Sequence, residues 1–290
     1  MKVKVKIWVA GARPRTLGAA VAPVVVGTSA ASRYALDVSL PRALLALVVA
    51  LGMQVGVNFA NDYSDGVRGV DAERRGPLRL TASGLVAPSA VKAAALLSLA
   101  VAAAAGLWLA ILVDPWLIAV GAAAVLAAWL YSGGPKPYGA AGLGEVMVLI
   151  FFGFVATCGS AYVQLERVPV LAVGAAVPVG LLACAILLVN NLRDVETDRV
   201  AGKRTLAVRI GATSARVLYK LCIACSFVAV LPLALVAPGA LIALAAVPLA
   251  VDPVTAVRSG AQPPELVEAL IGTARLQLVF SVLLAVGLWL

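Results

Sequence analysis

About nine apolar stretches, each near the length of a membrane-spanning helix, constrain this chain more than any other feature. A helix needs about 20 apolar residues to cross a bilayer. Helix is the expected structure because an open strand edge leaves backbone groups unpaired in hydrocarbon. We therefore predict an all-α polytopic bundle of about nine transmembrane helices, with spans at 16–32, 42–61, 90–112, 116–132, 144–163, 169–191, 217–236, 238–251 and 274–290.

The composition supports a lipid environment. Of the 290 residues, 62% are hydrophobic and 13% are charged. Soluble domains are about 25% charged, so this chain has too little polar sequence to cover a soluble core of its size. We predict one transmembrane domain over residues 1–290, surrounded by membrane lipid, with no nucleic-acid partner.

The positive charges are distributed unevenly between the predicted loops. With the N-terminus in the cytoplasm, all but three of the 23 Lys and Arg residues fall on the cytoplasmic side; the exceptions are Arg33, Arg42 and Arg167. Cytoplasmic loops carry this excess in membrane proteins. The pattern predicts a multi-pass protein of the inner or plasma membrane. The first apolar stretch resembles a signal peptide, but Arg13-Pro14-Arg15 precedes it and many helices follow, so a retained helix is expected.

Histidine is absent from the chain, which excludes histidine-ligated zinc sites and histidine general bases. The four cysteines fall within predicted helices. Although Cys222 and Cys225 have a redox spacing, a thiolate is costly among apolar neighbours. Packing is therefore their expected role.

Seven of the 14 acidic residues are concentrated in two short segments, 58–73 and 190–198. Each segment starts at the predicted cytoplasmic end of a helix. A single Asp at such a place would be interpreted as a solvated loop residue. Two asparagine-containing clusters at membrane helix ends are candidate functional sites, since carboxylates there are costly unless paired or metal-bound. Asp62 and Asp194 are 132 residues apart (194 − 62), which suggests a four-helix duplication that would make the clusters face each other.

The spacing within each cluster places its polar residues on one helix face. Steps of three and four residues share a face if the helix continues. Gly66 and Gly69 then allow the backbone to turn, which would bring Asp71 back toward that face. The residues sharing a face are Asn61, Asp62 and Asp65 in the first cluster and Asn191, Asp194 and Asp198 in the second.

Oxygen ligands without His or Cys indicate a hard cation. Mg²⁺ prefers one or two carboxylates together with substrate phosphates. Cationic side chains suited to phosphate oxygens stand beside the acids, namely Arg68, Arg193, Lys203 and Arg204. In a lipid setting, this combination predicts a metal-bound diphosphate that carries a lipid tail.

At these residues the chain resembles the UbiA superfamily of intramembrane prenyltransferases. Asn61-Asp62-x-x-Asp65 and Asp194-x-x-x-Asp198 match the two aspartate-rich motifs of that family. The third aspartate of the first motif would fall at Gly69, whereas the nearest acid is Asp71. This two-residue displacement of the third aspartate resembles the first motif of the family branch that acts on 1,4-dihydroxy-2-naphthoate. Further likeness lies in the segments 11–17, 76–79, 132–139 and 190–209.

The resemblance implies transfer of a polyprenyl chain from its diphosphate to 1,4-dihydroxy-2-naphthoate in menaquinone biosynthesis, with Mg²⁺ as cofactor. The implied catalytic residues are Asp65, Asp194 and Asp198, and the implied metal ligands are Asn61, Asp62, Asp65, Asp71, Asp194 and Asp198. The diphosphate would bind Asn58, Arg68, Lys136, Asn191 and Lys203, and the aromatic acceptor would bind Arg13, Arg15 and Tyr138. The sequence identifies no general base.

Three alternatives stay open at this point. Within the family, 4-hydroxybenzoate is the other expected acceptor. The CDP-alcohol phosphotransferases begin their signature like Asp62-x-x-Asp65-Gly66, but the Ala-Arg and further aspartates of that signature are missing from the segment. A cation transporter would carry acids at mid-span, and these are nearly absent here.

Overall fold

The structure is a computed structural model that describes residues 2–35, 37–69 and 78–290, with side chains from residue 5 onward. Within these ranges the regular elements are all helical. The helices are α1 (Lys2–Ala12), α2 (Gly18–Ser32), α3 (Leu40–Val67), α4 (Pro88–Leu112), α5 (Leu117–Leu130), α6 (Gly144–Leu165), α7 (Val170–Arg193), α8 (Val195–Val200), α9 (Leu206–Ala234), α10 (Pro248–Ala256) and α11 (Pro263–Trp289).

The predicted all-α membrane bundle is confirmed, and each of the nine apolar stretches lies on helical structure. Six of the described helices are long and apolar enough to cross a bilayer alone: α3, α4, α6, α7, α9 and α11. The eighth stretch is a 3₁₀ segment, Pro238–Ala246, followed by α10 at a bend of 44°. The helices α2 and α5 are apolar but shorter, with 15 and 14 residues.

Several helices differ from the predicted spans in where they begin, end or bend. Helix α3 continues beyond residue 61 to Val67, which carries the first acidic cluster on helical backbone. Helix α11 begins 11 residues earlier than predicted, at Pro263, where Gln262 and Glu265 form a capping box. Helix α9 is kinked at Gly211, whose φ of 79° is outside the helical region.

Helix α7 forms the centre of the bundle. Of its most apolar window 61% is buried, compared with 22% for α3. It packs against α2, α9, α11 and the π-helical turn Leu149–Val155 inside α6. A Cβ on Gly153 would come within 3.0 Å of the Gly180 Cα atom, so these two helices meet backbone to backbone. The C-terminal end of α7, which carries the second acidic cluster, is thereby fixed relative to the other helices.

Helices α3 and α4 form a closely packed pair on the other side of the bundle. Gly52 and Gly56 lie against α4, where added Cβ atoms would come within 3.0 Å of Ala102 and 2.7 Å of Leu99. The outward face of α4 exposes large apolar side chains such as Leu97, Trp108 and Ile111. Exposed apolar surface of this extent is expected for a helix that faces lipid.

Candidate active site

The two acidic clusters lie together at one end of the bundle. Lys203 joins them: its Nζ atom lies 3.0 Å from Asp65 Oδ1 and 3.8 Å from Asp198 Oδ1. Asp65 is near the end of α3, and Asp198 lies in α8, directly after α7. The sequence prediction that the clusters would face each other thus agrees with the geometry of these three side chains.

Asp62 is buried and has a contact that distinguishes it from Asp65. Its two carboxylate oxygens each accept a backbone hydrogen bond at 2.8 Å, one from the Leu80 amide and one from the Thr81 amide. Asp62 therefore ties the segment that follows residue 77 to α3. Its predicted role as a metal ligand remains a prediction, and the contact provides a structural role for the same carboxylate.

The second cluster is organised by Arg193. Its guanidinium donates to both oxygens of Asp194, at 2.8 and 2.6 Å, and to Asn190 Oδ1 at 3.0 Å. Both members of this ion pair are buried, at 8% and 7% exposure. A charged pair in such a place needs close hydrogen-bonding geometry to offset desolvation. Arg193 therefore fixes the position of the Asp194 carboxylate at the end of α7.

Glu145 is a residue of this site that sequence reasoning missed. It lies in the first turn of α6 and is 6% exposed. Its Oε1 atom accepts a hydrogen bond of 2.9 Å from Asn191 Nδ2. This contact fixes the orientation of the Asn191 side-chain amide, which lines the small polar cavity described below. A single acid within an apolar stretch has no spacing pattern that would have identified it.

Arg79 is a second residue that the sequence prediction left without a role. Its Nη2 atom lies 3.9 Å from Asp65 Oδ2, whereas the close contact of Lys203 is with Oδ1 of the same carboxylate. Two cations therefore flank one carboxylate. This is the arrangement expected where a highly charged anion and its counterions bind.

The site contains two adjoining cavities. The smaller, about 70 Å³, is lined by the polar residues of both clusters, among them Asp65, Asp194 and Asp198. The larger, about 760 Å³, is mostly apolar and extends into the bundle. The residues that line both cavities are Arg13, Asn61, Arg79, Tyr131 and Asn190. A single ligand that carries both a charged group and an apolar chain would therefore fit, with the charged group in the small cavity and the chain in the large one.

The predicted diphosphate-binding residues are distributed unequally. Arg68, Asn191 and Lys203 line the small cavity, and Asn58 lines the large one. Arg68 also donates to the Gly134 carbonyl at 2.7 Å. Lys136 is exposed and lines neither cavity as the described residues form them, so its phosphate contact remains a prediction. Asp71 lies outside the described residues.

The three predicted acceptor-binding residues all line the large cavity, and Arg13 also lines the small polar one. Arg13 has a left-handed backbone, with φ of 55°, which is uncommon for a residue other than glycine and concentrates at functional sites. The ring of Tyr138 packs edge to face on Tyr131, with centroids 5.5 Å apart. Burial raises the pKa of Tyr138 to about 12, so this phenol stays protonated and able to donate even at alkaline pH.

The residues around the small cavity suit a metal that is shared with substrate. No group of three or more His, Cys, Asp or Glu side chains within the described ranges forms a complete metal cage. The Asn61 Oδ1 atom, however, is buried and has no hydrogen-bond partner among the described residues. Mg²⁺ binds through few carboxylates plus phosphate oxygens, so an orphaned amide oxygen beside Asp65 fits this requirement.

Fold and site together define a membrane-embedded prenyltransferase. The chain belongs to the UbiA prenyltransferase family, whose model matches residues 20–261. The match includes both acidic clusters. Membership of this family sets aside the phosphotransferase and transporter alternatives.

Several curated relatives of this chain carry the same name. The chain is 50% identical over 278 residues to the 1,4-dihydroxy-2-naphthoate octaprenyltransferase of Mycobacterium tuberculosis, covering 96% of this chain and 95% of that one. It is 46% identical to the Mycobacterium leprae protein of the same name, covering 98% and 96%. The Escherichia coli protein of that name is 38% identical over 220 residues, covering 73% of this chain and 71% of that one.

Solved structures share the fold. A UbiA homolog from Aeropyrum pernix K1, in its apo form, superposes with a TM-score of 0.64 at 17% identity, covering 93% of this chain and 96% of that one. A UbiA homolog from Archaeoglobus fulgidus, bound to GPP and Mg²⁺, superposes with a TM-score of 0.63 at 17% identity, covering 96% and 99%.

Proposed function

We propose that this protein transfers a polyprenyl chain from polyprenyl diphosphate to 1,4-dihydroxy-2-naphthoate, releasing diphosphate and CO₂, as a step of menaquinone biosynthesis. The acceptor follows the names of the relatives with 50% and 46% identity. The observation that carries the chemistry is the ion-pair bridge from Asp65 through Lys203 to Asp198, in a small polar cavity that adjoins a large apolar one.

The small cavity would hold the diphosphate together with Mg²⁺. Asn61, Asp65, Asp194 and Asp198 would hold the metal, with Asp62 and Asp71 as the remaining predicted ligands. When bound, Mg²⁺ neutralises charge on the diphosphate oxygens. Positioned donors aimed at developing charge usually contribute most to such catalysis, and Arg68, Arg79 and Lys203 provide these donors here.

Breaking the allylic C–O bond sends its electron pair to the departing diphosphate and leaves an allylic cation. That cation needs a dry pocket, since water would capture it. Tyr131, Phe151 and Phe152 line the large cavity, and aromatic faces stabilise cations. The chain therefore offers a charged end for the diphosphate and an apolar, aromatic wall for the reacting carbon.

The acceptor completes the reaction through its ring carbon. The naphthoate carbon that bears the carboxylate attacks the allylic cation and forms the new C–C bond. The bond to the carboxylate then breaks, CO₂ leaves, and its electron pair restores the aromatic ring without removal of a ring proton. Arg13 and Arg15, which both line the large cavity, are suited to hold the carboxylate before it leaves.

The orientation that we propose places this site at the cytoplasmic side of the inner or plasma membrane. It rests on the positive charges: all but three of the 23 Lys and Arg residues belong to the segments that this orientation puts inside. Soluble acceptor and diphosphate product would then enter and leave on the cytoplasmic side, while the prenyl chain enters from lipid.

The acceptor is tested with carboxyl-labelled substrates. Membranes carrying the protein receive a polyprenyl diphosphate, Mg²⁺ and either naphthoate or 4-hydroxybenzoate labelled with ¹⁴C in the carboxylate. We expect labelled CO₂ from the naphthoate alone, in a 1:1 ratio with the prenylated product. Label retained in a prenylated benzoate, with the naphthoate unreactive, would overturn the naphthoate assignment and leave prenyl transfer in place.

A further inference from the structure

The large cavity runs deep into the membrane-spanning part of the bundle. Both Asn61 and Ala46 of α3 line it. They are 15 residues apart (61 − 46), which corresponds to about 22 Å at a helical rise of ~1.5 Å per residue. The hydrocarbon core of a bilayer is about 30 Å thick. The cavity therefore extends well past the site where the diphosphate would bind, into the opposite half of the membrane.

Three glycines line this cavity at a similar depth on three different helices: Gly106 on α4, Gly121 on α5 and Gly159 on α6. They lie 6, 4 and 6 residues from the helix ends at Leu112, Leu117 and Leu165. Those ends are opposite to the acidic clusters. At ~1.5 Å per residue, all three lie about 6–9 Å from the far ends of their helices. We call them the distal glycines.

Close helix packing does not explain the distal glycines. An added Cβ would meet no described atom within 4 Å at Gly121 or Gly159, and one atom at 3.8 Å, a methyl of Val49, at Gly106. By contrast, Gly27, Gly153 and Gly180 would place a Cβ within 3.0 Å of a neighbouring backbone. Positive φ does not explain them either, because none of the three is among the glycines with positive φ.

Glycine inside a helix is destabilising relative to alanine because it loses more conformational freedom on folding. At the distal glycines, this loss of helix stability occurs where the space on the cavity side is empty. Side chains at the three positions would project into the cavity and occlude its far half, while the polar end near Arg13 and Tyr138 would be unchanged. The effect of the distal glycines is thus to keep the far half of the cavity open.

Resting on the proposed function, we infer that Gly106, Gly121 and Gly159 are specificity-determining positions that admit the distal isoprene units of a long prenyl donor. The reacting end of every donor lies at the acidic clusters. A short donor ends before it reaches the distal glycines, and a long donor must pass between them. Larger side chains at these positions should therefore discriminate by donor length and leave the chemistry intact.

The experiment compares donors of three lengths, geranyl (C10), geranylgeranyl (C20) and solanesyl (C45) diphosphate, with naphthoate as acceptor. We expect Gly121→Leu and Gly159→Leu to lower kcat/KM at least tenfold for C45 and to change it less than twofold for the shortest donor that the wild type uses. Ala122→Leu is the matched control: it is the next residue of α5, is exposed and does not line the cavity. It should behave like the wild type with every donor.

The shortest donor also reports folding. If a leucine variant loses activity with every donor, the corresponding Gly→Ala variant is measured, and it should still reduce the C45 rate more than the short-donor rate. Equal losses for all lengths in a folded variant, or unchanged C45 kinetics in all variants, would overturn the inference. Inactivity of the wild type toward the naphthoate with every donor would instead refute the proposed function.

Discussion

Asp62 and Asp65 are three residues apart on α3, yet their contacts predict that mutating them affects different properties of the protein. Asp62 accepts two backbone hydrogen bonds, from the amides of Leu80 and Thr81. Asp65 instead contacts the cations Lys203 and Arg79. We expect Asp62→Ala to lower the stability of the fold strongly, whereas Asp65→Ala should lower the reaction rate with little change in stability.

The size of the Asp62 effect follows from the two amides it would leave behind. A buried donor without a partner costs about 1–3 kcal/mol. The Leu80 amide is buried, whereas that of Thr81 is half-buried and can partly be reached by water, so we expect a total loss of about 2–5 kcal/mol for Asp62→Ala. Each kcal/mol lowers the Tm by about 2–4 °C in a protein of roughly this size. Asp62→Asn, which keeps one acceptor oxygen, should fall between Asp62→Ala and the wild type.

The assay is thermal unfolding of purified variants in one detergent, paired with prenyl transfer measured well below every Tm. Asp65→Ala should unfold near the wild-type temperature and lose at least 10²-fold in rate, the usual consequence of removing a charge-stabilising group. If Asp62→Ala unfolded at the wild-type temperature and had lost its rate like Asp65→Ala, the structural role of Asp62 would be refuted.

Three further predictions concern the rest of the site. Asp194→Ala should lower the transfer rate by about 10²–10³-fold in Michaelis–Menten assays. Asp37 is exposed and does not line the small cavity, so Asp37→Ala should leave the rate unchanged. Equal losses in the two variants would show that neither effect is local to the site. Glu145→Leu should raise the KM for the polyprenyl diphosphate, because the Asn191 amide that Glu145 orients is then free to rotate. Glu145→Gln keeps an acceptor oxygen for that amide and should have a KM near that of the wild type. Equal KM values for the two variants would contradict this. Cysteines introduced at the exposed Ser83 and Thr213 should react with an impermeant thiol reagent from the cytoplasmic face only, and labelling of the two from opposite faces would exclude our orientation.

Much of the fold can be predicted from hydropathy because the hydrocarbon of the membrane restricts which backbone structures can cross it. In hydrocarbon, backbone groups must pair within each segment, so the apolar stretches had to be helical. The ends of the helices depend on polar contacts that hydropathy does not see. The capping box of Gln262 and Glu265 starts α11 early, and α3 continues to Val67.

The acidic clusters were found from sequence because their spacing repeats at three and four residues on one helix face. The 132-residue separation of Asp62 and Asp194 suggested that the two clusters face each other, and Lys203 joins Asp65 and Asp198 in the structure. Two features of the site could not be predicted from the sequence. The contacts of Asp62 depend on where the loop after residue 77 packs, and Glu145 is a single acid whose partner, Asn191, is 46 residues away.

The central claim is that both clusters bind one diphosphate through Mg²⁺. Its most direct test is titration calorimetry with a non-hydrolysable geranyl thiolodiphosphate on purified wild type, Asp65→Ala and Asp198→Ala, each with Mg²⁺ and with EDTA. We expect binding to the wild type with Mg²⁺, its loss in EDTA, and a loss of at least tenfold in affinity in each variant although the two residues belong to different helices. Equal affinity with and without Mg²⁺, or a wild-type affinity in either variant, would contradict the account.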